Sequence, residues 1–122
     1  MEKENIILKL TLEFSLLIIT YCEELEANKK FVISNQLLKS GTSIGANIRE
    51  AQNAESLNDF VHKFKIAAKE IDETKYWLEL CQLAESYPNN EILMDKLINI
   101  SKIVNKIIST SKSKWLTNYH IY

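Results

Sequence analysis

From about Asn5 to Ala27 the apolar residues Ile7, Leu10, Phe14, Leu17 and Tyr21 return at alternating steps of three and four, and Ile18 and Leu25 widen the stripe. That period predicts a helix with one face against a core. Asn28-Lys29-Lys30 breaks it and reads as a short connection. A second stripe, Ile33, Leu37, Gly41, Ile44, Ile48 and Ala51, predicts a helix over about 34–54, with Ser34 as its N-cap. Gly41 and Gly45 lie inside it. Each weakens a helix by about 1 kcal/mol relative to alanine, so their presence implies a close backbone approach or a bend.

Phe60, Phe64, Ala67, Ile71, Leu78 and Cys81, flanked by Val61, Ala68, Trp77 and Leu80, predict a third helix over about 57–86. Ser56-Leu57-Asn58-Asp59 reads as its capping box, with Asp in place of the usual Glu. Tyr87-Pro88-Asn89-Asn90 is the clearest turn. Leu93, Leu97, Ile100, Val104 and Ile107, widened by Ile92, Ile98, Ile103 and Ile108, predict a fourth helix over about 91–111. An aromatic tail, 114–122, carries Trp115, Leu116, Tyr119, Ile121 and Tyr122. Four amphipathic helices with short connections predict an all-α, antiparallel up-down-up-down four-helix bundle, as a single domain over 1–122.

Composition agrees. Two glycines and one proline in 122 residues are too few for an all-β domain, which needs turn residues every 8–12 positions or so. The net charge of −1 gives no global attraction to nucleic acid or an anionic membrane. Its distribution is uneven: residues 1–95 carry ten bases and sixteen acids, and residues 96–122 carry five lysines and no acid. Lys96, Lys102, Lys106, Lys112 and Lys114 either complement the dipole of the last helix near its C-terminus or form an anion-facing patch. The longest apolar run, Phe14 to Cys22, is too short to span a bilayer, and Met1-Glu-Lys-Glu-Asn5 lacks the basic start of a signal peptide. Cys22 and Cys81 read as buried free thiols. The expectation is a cytoplasmic protein without a membrane partner.

The most informative pattern is polar. Gln36, Ser40, Ser43, Asn47 and Glu50 recur at helical steps on the second helix, about one residue round from its apolar stripe. On the third helix Lys63, Glu70, Glu73 and Trp77 fall on a similar line. Short Ser and Asn side chains suit close helix approach and fixed hydrogen bonds. The seam therefore reads as an interhelix or intersubunit junction, with a solvated face or a ligand site as alternatives.

No motif predicts catalysis. A di-metal bundle needs paired Glu-x-x-His motifs, and there are none; Asp59 to His62 has the spacing once, and the other histidine, His120, is in the tail. Neither cysteine has a nearby histidine. Gly41-Thr-Ser-Ile-Gly45 lacks the lysine of a phosphate loop. The reading is a non-enzyme without catalytic, cofactor or metal residues. Lys112, Lys114, Trp115 and Tyr119 could stack on bases and neutralise phosphates, or form a helix terminus with a hydrophobic plug.

Phe31-Val-Ile-Ser-Asn-Gln36-Leu-Leu-Lys-Ser40, then Ser43-Ile-Gly-Ala-Asn47-Ile-Arg-Glu50-Ala, resembles the signature of the small four-helix proteins encoded in 23S ribosomal RNA intervening sequences. Ser56-Leu-Asn-Asp-Phe60 and Ala68-Lys-Glu70-Ile-Asp-Glu73-Thr-Lys-Tyr-Trp77-Leu extend the likeness, which spans roughly residues 10–110. The accessory protein of diversity-generating retroelements is similar in fold. The resemblance implies a bacterial bundle forming a five-fold ring, a homopentamer, with a link to RNA or DNA. It also implies as partners RNA, a reverse transcriptase or a ribosome-associated protein. The retroelement relatives are basic, and the net charge of −1 sets this chain apart from them.

Overall fold

The computed structural model describes residues 3–119, with side chains described from 6 to 113. Four helices follow one another: α1 Lys3–Ala27, α2 Phe31–Ala51, α3 Leu57–Leu83 and α4 Glu91–Tyr119. Each packs on the next and α4 closes on α1, with no backbone approach across either diagonal among the described residues. This is the expected up-down-up-down bundle. The α2–α3 and α1–α2 contacts are the most extensive, and α1–α4 is the most open.

The core comes from the expected stripes. Phe14 and Ile18 of α1, Leu37, Ile44 and Ile48 of α2, Phe64 and Leu78 of α3, and Val104 of α4 are wholly buried. Burial of each stabilises the fold by about 1.5–3 kcal/mol relative to exposure. The glycines prove to be a close approach. An added Cβ at Gly41 would lie 2.9 Å from an Ile18 side-chain carbon, and one at Gly45 would lie 3.2 Å from Thr11 Oγ1. Thr11 itself is buried and donates to its own helix at Ile7 O (2.8 Å).

Helix ends differ from expectation in informative ways. α2 begins at Phe31, not Ser34, and ends at Ala51 instead of 54. Ser34 is not a cap. It is wholly buried in the first turn, where its hydroxyl lies 3.2 Å from both Cys22 O and Glu26 Oε2 of α1. The chain enters α2 through a Schellman-type closure of α1, with Lys29 at φ 64° and Lys30 N donating to Leu25 O (2.8 Å). α3 ends at Leu83, before 86, as Ala84 turns to extended backbone and Ser86 takes φ 69°. Its N-cap is as read, with Ser56 Oγ accepting from Asp59 N (3.0 Å), but Asp59 Oδ2 accepts from Glu55 N (3.3 Å), one residue before the Ser56 N–H that a capping box would use.

α4 continues to Tyr119, past the expected end at 111, because nothing in 112–119 breaks a helix. The tail side chains from Lys114 onward, Trp115 and Tyr119 included, lie outside the described residues. The turn before α4 is tied down from three sides. Tyr21 OH donates to Pro88 O (2.8 Å), Asn90 Nδ2 to Leu78 O (2.9 Å), and Asn89 Oδ1 accepts from Glu91 N (2.9 Å).

Candidate interaction surfaces

The polar seam of α2 runs beside α3, and two of its members reach across. Ser40 is buried and accepts from Thr74 Oγ1 of α3 at 2.9 Å. Glu50 pairs with Lys63 Nζ of α3 at 3.1 Å, in an exposed setting where such a pair contributes little. Ser43 and Asn47 are half-buried and bond within their own helix, Ser43 Oγ to Lys39 O (2.6 Å) and Asn47 Nδ2 to Ser43 O (2.8 Å). Gln36 is exposed. On α3, Trp77 is half-buried against the core and donates from Nε1 to Glu73 Oε2 (3.3 Å).

Thr74 was not read from the sequence, although it is the donor that makes Ser40 tolerable in the interior. Thr74→Val keeps the shape and removes the donor. It leaves Ser40 Oγ with only a 3.5 Å contact to Leu37 O. The expected loss is about 1–2 kcal/mol in urea unfolding, with most of it recovered in the double variant Ser40→Ala/Thr74→Val.

Burial first, then the Glu73 carboxylate, push the Glu70 carboxyl above its ordinary value, against a partial pull from Lys39. A raised carboxyl supports the folded state only while protonated. Its contribution is therefore lost as pH rises above the unfolded value. Glu70→Gln should gain about a few tenths of a kcal/mol at pH 7, and the gain should vanish below about pH 4. Urea midpoints at the two pH values read this out.

The thiols are placed for packing. Cys22 and Cys81 are buried and free, and burial pushes Cys22 up to about 11 and raises Cys81. Thiolate, the reactive form, is thereby suppressed. Among the described residues no group of three His, Cys, Asp or Glu could hold a metal ion. No helix there is long and apolar enough to cross a membrane.

Two surfaces lie away from the seam, and the first of them was not read from the sequence. The first is the outside of α1. Leu12, Leu16 and Ile19 form a ridge at steps of four and three and are 53%, 59% and 39% exposed. Beside it an open groove of about 190 Å³ runs between α1 and α2, from Leu8, Thr11 and Ser15 to Thr42, Gly45 and Arg49. On the opposite flank of α1, Ile6 meets Ile103 and Ile107 of α4 in a groove of about 340 Å³ edged by Lys102 and Lys106. α1 is thus apolar on more sides than its own bundle covers. The available signal was Ile6, Leu12, Leu16 and Ile19, which fall outside the single stripe of a one-faced helix.

The second surface is basic. Lys96, Lys102, Lys106 and Lys112 are all exposed on α4, and none has a carboxylate partner among the described residues. Lys65 of α3 lies against Lys112, whose ammonium group holds the Lys65 pKa below the ordinary lysine value. Lys114 has no described side chain.

The chain matches the family described as 23S rRNA-intervening sequence protein over residues 3–109. Among solved structures it is similar to a protein of unknown function from the S23 ribosomal protein family of Bacteroides thetaiotaomicron VPI-5482. The two are 42% identical with a TM-score of 0.84, over 88% of this chain and 99% of that one. None of the curated proteins matches.

Proposed function

We propose, from the premise that this chain belongs to the 23S rRNA-intervening sequence protein family, that it is a non-enzymatic, self-associating bundle serving as an RNA-associated accessory in the cytoplasm. The observation that carries self-association is the α1 ridge. Three large apolar side chains in register beside an open groove form a surface that a soluble monomer seldom leaves bare. A closed ring of copies, five by family resemblance, uses head-to-tail contacts. In such a ring the ridge of one copy meets a different patch of the next.

The RNA part of the reading is supported by the exposed lysines of α4, Lys96, Lys102, Lys106 and Lys112, which have no carboxylate partner among the described residues. Their charge is local, so the net charge of −1 does not oppose it. A gel shift with structured RNA across a salt series tests this. Binding at low salt that weakens steeply as salt rises supports the accessory role. No shift at low salt leaves the alternative, a scaffold that holds a protein such as a reverse transcriptase or a ribosome-associated factor without touching nucleic acid.

A further inference from the structure

Asn90 is a shared wall of two cavities at the α3–α4 turn. The larger, of about 430 Å³, is lined by Cys81 and Gln82 of α3, the turn residues Tyr87 to Asn90, and Glu91. The smaller, of about 200 Å³, lies on the α1 side against Tyr21 and Glu24. Asn90 is only 3% exposed. Its Nδ2 donates to Leu78 O at 2.9 Å, which fixes the way the amide faces. Its Oδ1 is buried and accepts from no group among the described residues. The Tyr21 hydroxyl beside it is already used, donating to Pro88 O at 2.8 Å. A buried amide oxygen without a donor costs the fold its desolvation, and native interiors leave few such groups.

We infer that the larger cavity binds a small ammonium ligand, the head group of an aliphatic amine or polyamine, with Asn90 Oδ1 and the Glu91 carboxylate as its acceptors. This site stands apart from the RNA reading. Three observations set the ligand class. The amide oxygen accepts and cannot donate, so its partner brings the hydrogen. The lining holds one carboxylate and no lysine or arginine, and residues 84–91 contain Glu85 and Glu91 without a base. The turn already receives an ammonium group of the chain itself. Lys30 Nζ donates to Ser86 Oγ at 3.3 Å and stands 4.9 Å from the centre of the Tyr87 ring.

The positive end of α4 weighs against a cation. Its Glu91 N–H, however, is already met by Asn89 Oδ1 at 2.9 Å, and the Glu91 charge lies in the same turn. The cavity volume falls within the range of about 300–1,000 Å³ usual for small-ligand sites. Asn90 Oδ1 is closed to solvent, so contact needs a rotation of the amide. The wall that gives is the non-helical stretch 84–90, where Ser86 holds φ 69°.

The test is calorimetric titration of the full chain with n-butylamine, putrescine and spermidine, with n-butanol and butyrate as neutral and anionic counterparts. Butylamine should bind saturably, one per chain, and the counterparts should not. Tighter binding of putrescine or spermidine makes a polyamine the source, and equal affinity makes it a simple amine. Glu91→Gln should weaken butylamine about tenfold, the size of one charge-assisted hydrogen bond. Glu24→Gln, in the smaller cavity, should leave it unchanged. Asn90→Asp and Asn90→Leu both lose the tie to Leu78 O, but only the aspartate keeps an acceptor. The amine should bind Asn90→Asp and not Asn90→Leu, with circular dichroism confirming the fold. If neither Asn90 variant folds, the two glutamate variants decide. No amine bound at millimolar concentration overturns the site. Butanol bound as tightly as butylamine overturns the ammonium assignment, and butyrate bound instead makes the cavity an anion site. Butylamine bound equally by Glu91→Gln and the unmodified chain moves the ligand elsewhere.

Discussion

Gly41→Leu is expected to destabilise the bundle by about 3 kcal/mol or more, the largest effect of any single change at the α1–α2 contact. Even a bare Cβ there meets three side-chain carbons of Ile18 at 2.9–3.1 Å. Ile18 is wholly buried and β-branched, so these carbons cannot swing aside without leaving its preferred rotamer. Overpacking of this kind costs about 1–3 kcal/mol for a few extra methylenes, while replacing a helical glycine recovers only about 1 kcal/mol of propensity. With alanine the two terms nearly offset. With leucine the clash dominates.

Gly45→Ala should be milder, because the added Cβ meets Thr11 Oγ1, Cβ and O at 3.2–3.4 Å, longer than the contacts at Gly41. The double variant Ile18→Ala/Gly41→Leu should recover at least half of the loss, which a double-mutant cycle reads as coupling. A Gly41→Leu protein unfolding in urea at the unmodified midpoint would mean that the two helices do not approach here at all.

Leu16→Glu is expected to abolish self-association while leaving the fold intact. Leu16 is the most exposed of the ridge residues, at 59%, so a carboxylate there is harmless to an isolated bundle. In an assembly the same carboxylate would be buried without a partner, and the apolar burial of leucine would be lost with it. Together these should raise the dissociation constant at least about 100-fold. Leu12→Ala should weaken assembly more modestly. Circular dichroism should stay helical in both, and thermal stability should fall only by what assembly contributes through mass action. A Leu16→Glu protein of unchanged native mass would move the interface away from α1.

The parts of this protein that could be read from residue order are those fixed locally. Four helices follow from the three-and-four spacing of stripes such as Leu93, Leu97, Ile100 and Val104, and these residues fill the core. Ser56 Oγ caps Asp59 N, and Asp59 Oδ2 accepts from Glu55 N, because every partner lies within a few residues.

What stayed hidden depends on how helices register against one another. Ser34 has the type and place of an N-cap, yet the helix starts a turn earlier. Its hydroxyl is spent on α1, a choice made by the Schellman-type closure at Lys29 and not by Ser34. Ser40 was singled out by its spacing, but its partner Thr74 is thirty-four residues away and carries no mark of its own. The ridge on α1 was obscured by abundance: with apolar residues on several faces, the stripe that fills the core hid the stripe left outside.

Self-association through α1 is read out by the native mass of the unmodified chain. Sedimentation equilibrium at about 10 µM should give a whole-number multiple of the 14.1 kDa chain, with Leu16→Glu returning a single copy. A lone 14.1 kDa species for the unmodified chain across that range would contradict it.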